Sequence, residues 1–166
     1  MPEAWLRGPL HDVHPLLAPA LYGFQQTRED LARHTAGLTT GQVWARPHGL
    51  APLGFHLRHI AGSVERLTAY LEGRPLDAAQ MAALAAEMDP GASLEDLLAN
   101  IDRTLLRSSE AVRAIDPATL GEPRWVGRNC LPTTVIGLIV HIAEHTQRHL
   151  GQAIAAAQLA RALCRQ

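Results

Sequence analysis

Apolar residues recur at intervals of three and four along most of the chain, the spacing of helices that each bury one face. Val13, Leu16, Leu17, Ala20, Phe24, Thr27 and Leu31 predict a first long helix over about residues 12–36, with Pro15 and Pro19 in or before its first turns and Gly37 as its stop. Leu53, Leu57, Ile60, Val64, Leu67 and Leu71 predict a second over about residues 53–72, ended by Gly73. Leu94, Leu97, Leu98, Ile101, Leu105, Val112 and Ile115 predict a third, opened at Ser93 by S-L-E-D, a loose capping box. A fourth runs from about Thr133 to near the C-terminus. At about 100° per residue, Val135, Leu138, Ile139, Thr146, Ala153 and Ala157 lie within roughly 60° of Ile142 and define its buried stripe.

The connections carry weaker signals. Thr39 or Thr40 caps a single turn bearing Trp44, and Pro47, Gly49 and Pro52 mark a loop. Asp77 to Met88 is Ala-rich and predicts a short connecting helix or lid, broken by Pro90 and Gly91. Residues 116–132 hold Pro117, Gly121, Pro123, Gly127 and Pro132 and read as irregular. Four amphipathic helices with few strand signals predict an all-α fold, a four-helix bundle with short connecting helices, as a single domain over residues 1–166.

Composition supports helix over sheet. The chain is 47% hydrophobic but only 4% aromatic, so its core is built from Leu, Ala, Ile and Val. The net charge is -1, and all 15 basic residues are scattered arginines, so no polybasic stripe offers a footprint for nucleic acid or an acidic membrane. No stretch approaches the ~20 apolar residues of a membrane span, and residues 1–10 lack the pattern of a signal peptide; a soluble cytoplasmic protein is expected. Cys130 and Cys164 have no CxxC spacing, and each is expected as a free, buried thiol.

The candidate chemistry lies in the histidines. Of the 9, His11, His14, His34 and His48 fall in or near loops and termini and read as surface residues. The others sit on two helices: His56 and His59 on the second, His141, His145 and His149 on the fourth. On the fourth, His149 lies about 20° and His145 about 60° from the stripe's centre, with His141 about 100° away. An imidazole on an apolar face must satisfy both ring nitrogens or cost free energy. Residues at i and i+4 have Cβ atoms about 5–6 Å apart, close enough to converge on one metal ion. The competing reading is two core-edge histidines bonded to a carboxylate, a carbonyl or water. On the second helix His56 lies about 40° and His59 about 100° from Ile60, so periodicity favours His56 as the inward residue.

The run G54-F-H-L-R-H59-I-A-G-S-V-E-R-L67, the preceding segment from Trp44 to Pro47, and H141-I-A-E-H145-T-Q-R-H149-L-G-Q152 together resemble the DinB/YfiT-like superfamily over nearly the whole chain. The specific parts are His59, Ile60, Ala61 and Glu65 on the second helix, and His145, His149, Gly151 and Gln152 on the fourth. The resemblance implies a four-helix bundle with a divalent metal held by His59, His145 and His149. It agrees with the helical wheel for the late pair and differs for the second helix, where the wheel prefers His56. Leu150 stands where members often carry an Arg after the last histidine, with Arg148 before His149 instead.

Three neutral imidazoles leave the charge of a divalent ion uncompensated and coordination positions open, as in catalytic rather than structural sites. Such an ion acidifies bound water or thiol. The resemblance therefore implies an enzyme that activates a low-molecular-weight thiol as an S-transferase, or water as a hydrolase, on a small-molecule substrate. Imidazole suits zinc, nickel and iron alike. Glu65 and Glu144 are candidates for a general base or supporting carboxylate, Cys130 for an approach to the metal from the loop before the fourth helix, and Trp125 and Arg128 for the lining of a substrate pocket. Two other classes compete: a metal-binding or sensing module without turnover, and an oligomeric scaffold, such as a homodimer packed through the Ala-rich stretch from Ala153 to Ala162.

Overall fold

The computed structural model describes residues 1–163. Its helices are α1 (Ala18–Thr35), α2 (Thr40–Trp44), α3 (Leu53–Leu71), α4 (Ala78–Ala85), α5 (Leu94–Arg113) and α6 (Val135–Leu163). The four long ones form the frame. α6 packs on α1 and α3, and α5 packs on the same two, so the order around the bundle is α1, α6, α3, α5.

The predicted apolar stripes supply most of the core, although Leu16, expected in the first stripe, precedes α1 and is exposed. Leu31 of α1, Leu57 and Ile60 of α3, Ile101 and Leu105 of α5, and Ile139 and Ile142 of α6 are buried. Each such side chain contributes about 1.5–3 kcal/mol relative to remaining exposed. On α6 every residue of the expected stripe, from Val135 to Ala157, is buried. Buried threonines do not break the apolar interior, because each hydroxyl bonds within its own helix. Thr27, Thr35, Thr68 and Thr146 donate to Gly23, Leu31, Val64 and Ile142 carbonyls at 2.7–2.8 Å.

Helix ends follow local chemistry. Thr39 caps α2 and Asp77 caps α4, each in a reciprocal capping box with a Gln three residues on. Ser93 Oγ accepts from the Asp96 amide at the start of α5. Gly73 follows α3 at φ +72, a conformation that favours glycine.

Three expectations are corrected. The first helix begins at Ala18 rather than near residue 12: Pro19 occupies its first turn, where no amide donor is needed, and Asp12 adopts φ 57, outside the right-handed helix. The stretch expected to be irregular contains a hairpin, β1 (Pro123–Val126) antiparallel to β2 (Leu131–Thr134), with Trp125 opposite Pro132. Both strands are edges of a two-stranded sheet, so the prolines cost little in pairing. Cys130 is exposed, not buried, because it sits in the hairpin turn at φ 46; Cys164 lies outside the described residues. No described helix is long and apolar enough to cross a membrane.

Candidate metal centre

α3 and α6 lie side by side, and their histidines meet at the seam between them. His59, His145 and His149 each offer a ring nitrogen within 4.8 Å of the other two. Nε2 of His59 is 3.0 Å from Nε2 of His145. The ring centroids of His145 and His149 are 4.7 Å apart, as the i, i+4 spacing requires, and those of His59 and His149 are 4.3 Å apart. All three residues are half-buried.

Both histidines of α3 reach the cluster. His56 is the more buried, at 8% exposure, as its helical position predicts, and its Nδ1 lies 3.4 Å from Nδ1 of His149. His59, at the border of the stripe, supplies the third nitrogen of the group. The wheel located the buried histidine, while the family motif located the one that converges with His145 and His149. His141 is exposed and bonds Glu144 through Nδ1 at 2.9 Å.

A carboxylate stands behind His59. Glu87, in the turn after α4, accepts from Nδ1 of His59 at 2.7 Å and from Nη2 of Arg66 at 2.9 Å. Glu87 is buried at 6% exposure and Arg66 at 8%. Burial raises the pKa of Glu87, but the hydrogen bonds from His59 and Arg66 outweigh this and hold its carboxyl below the usual range. Ionised Glu87 keeps the proton of His59 on Nδ1 and directs the Nε2 lone pair toward His145. The ring of Phe55 stacks on that of His59, with centroids 5.5 Å apart.

The remaining imidazoles are kept neutral. Burial lowers the pKa of His56, His145 and His149, and the neighbouring His59 lowers each further; His149 falls to about 4. Neutral imidazoles have free lone pairs, the state that a metal requires. Nδ1 of His145 is buried without a hydrogen-bond partner among the described residues. The two Nε2 atoms of His59 and His145 confront each other with room for only one proton between them. An all-imidazole set with converging lone pairs and a carboxylate orienting one member fits a divalent ion of the zinc, nickel or iron type.

The other candidates lie away from this centre. Glu144 is exposed and pairs with Arg148 as well as His141, and Arg148 is thereby engaged. Glu65 is half-buried on α3 and has no bond to the cluster. Trp125, Arg128 and Cys130 are exposed in the hairpin. The carboxylate that touches a histidine of the cluster, Glu87, carries no signal in the sequence: it ends an Ala-rich stretch and meets His59 only through the tertiary fold.

A comparison with curated proteins returns no match. The sequence profile of the DinB superfamily matches residues 23–153, a span that starts within α1 and takes in α3, α5 and all the histidines of the cluster. The chain therefore belongs to the DinB superfamily.

Proposed function

We propose that the chain is a divalent-metal-dependent enzyme with His59, His145 and His149 as ligands, acting on a small molecule. A low-molecular-weight thiol is its first choice of nucleophile and water the second. The observation that carries this reading is the convergence of three imidazoles backed by a buried carboxylate. A divalent ion held there supplies a charge that lowers the pKa of a bound thiol or water.

The protein's own groups define the rest. Imidazole ligands would add no negative charge, so the charge of a bound ion would not be offset by them. Glu87 holds the proton of His59 at Nδ1. Phe55 stacks against His59 and supports the orientation of its ring. The half-buried position of the cluster leaves it reachable by a small thiol and its electrophilic acceptor.

The test combines metal analysis with turnover. Purified protein reconstituted with zinc, nickel or iron is expected to hold one ion per chain and to consume thiol in a saturable reaction with an electrophile. His145→Ala is expected to lose both. Thiol consumption equal in wild type and His145→Ala would overturn the thiol reading. Metal bound without saturable turnover of thiol or hydrolysable ester would favour a sensing or storage module. No stoichiometric metal after reconstitution would sink the site.

A further inference from the structure

α4 lies outside the four-helix frame, and little apolar burial holds it there. Gln80 is its only buried residue among those described, while Met81, Leu84 and Met88 are exposed. The segment is instead fastened to α3 and α2 by polar contacts. Arg58 donates to the Ala86 carbonyl, Glu87 bridges His59 and Arg66, and Trp44 Nε1 donates to the Ala92 carbonyl at 2.8 Å. Arg58 in turn lies over the Trp44 ring, 4.9 Å from its centroid.

The central fastening is expensive in isolation. Burying a carboxylate and a guanidinium costs several kcal/mol per ion before pairing, and such pairs often add no net stability. Here α3 is also shaped to admit the pair. A Cβ at Gly62 would lie 2.6 Å from Nη1 of Arg66 and 3.0 Å from Oε1 of Glu87. A buried ion pair, made room for by a helix-interior glycine and aimed at Nδ1 of a cluster histidine, points to a role at the cluster.

We propose that Glu87 is the positioning residue for His59, clamped by Arg66 in the space left by Gly62, so that docking of residues 78–92 and ion binding form one linked equilibrium. This rests on the reading of His59, His145 and His149 as a metal site. Glu87 touches no reacting atom; it fixes the ring orientation and tautomer of His59. Linkage is reciprocal: an ion on His59 favours the docked segment to the extent that docking favours the ion.

The test measures zinc affinity by competition with a chromophoric chelator, and amide hydrogen exchange over residues 78–92 with and without zinc. Glu87→Ala is expected to weaken zinc about 10–100-fold, and Glu87→Gln less, because its amide oxygen still accepts from Nδ1. Gly62→Ala, which displaces the clamp without touching a histidine, is expected to weaken zinc as well. Zinc is expected to slow exchange over residues 78–92 in wild type and not in Glu87→Ala. Affinities within about twofold of wild type in these variants, with zinc-independent exchange, would overturn the proposal. If Glu87→Ala does not fold, unchanged affinity in both Glu87→Gln and Gly62→Ala overturns it. A wild type that binds no zinc removes the metal reading and this inference together. Binding lost in His145→Ala but unchanged in Glu87→Ala removes this inference alone.

Discussion

Nδ1 of His56 faces Nδ1 of His149 at 3.4 Å across the seam between α3 and α6, so the fourth histidine of the cluster contacts a candidate ligand. At that separation the hydrogen bond is long and weak. His56→Ala should therefore keep one ion per chain and lower affinity by no more than about tenfold, the small end of the range for groups that orient ligands. Titration with a competing chelator reads this directly. Complete loss of the ion would make His56 a ligand in place of His59.

His59→Ala and His145→Ala each remove one nitrogen from a set of three. Two remaining imidazoles fall short of the three protein ligands of a catalytic-type site, so stoichiometric metal should disappear on dialysis. Elemental analysis of the dialysed proteins, with circular dichroism to show retained helix, separates loss of the site from loss of the fold. Retention of a full equivalent by either variant would contradict the assignment.

The late pair of histidines was legible because α6 is long and regular. Val135, Leu138, Ile139 and Ile142 fix the direction of its buried face, and His145 and His149 follow from that direction alone. His59 was legible only through the family motif. It sits on the flank of α3, where the bundle's seam opens, and periodicity reports the core rather than its edges. Glu87 was hidden for a different reason: its partners His59 and Arg66 are more than twenty residues away in the chain, and the helix before it presents an exposed Ala-rich surface. The hairpin escaped notice because strands of four residues, with Pro123 and Pro132 in them, lack a period long enough to read.

Acid should destabilise the metal-free protein. The folded pKa of His149 is lowered to about 4, and those of His56 and His145 are lowered too. Unfolded histidine takes up its proton near 6.5. Between these values the unfolded chain binds more protons than the folded one, so stability is complete above about pH 6.5 and falls as pH drops toward 4. Urea midpoints at about pH 7.5 and about pH 5 should show the lower value in acid. Replacing His149 with Phe should flatten the dependence; an unchanged slope would place its origin elsewhere.

Two glycines in helices should respond to alanine with opposite signs. At Gly54, in the first turn of α3, a Cβ would lie 2.7–2.8 Å from three atoms of the Trp44 ring. That ring cannot retreat freely, because its Nε1 is bonded to the Ala92 carbonyl and Arg58 lies over it. Overpacking against a fixed ring costs about 1–3 kcal/mol, which exceeds or cancels the gain of up to about 1 kcal/mol from helix propensity. Gly54→Ala should therefore lower the thermal midpoint. At Gly151, exposed on α6, no heavy atom lies within 4 Å of the added Cβ. There only the propensity gain remains, and Gly151→Ala should stabilise by about 0.5–1 kcal/mol. Thermal unfolding of the metal-free proteins checks both. Stabilisation by Gly54→Ala would mean that Trp44 moves aside easily, and with it the bond that fastens Ala92.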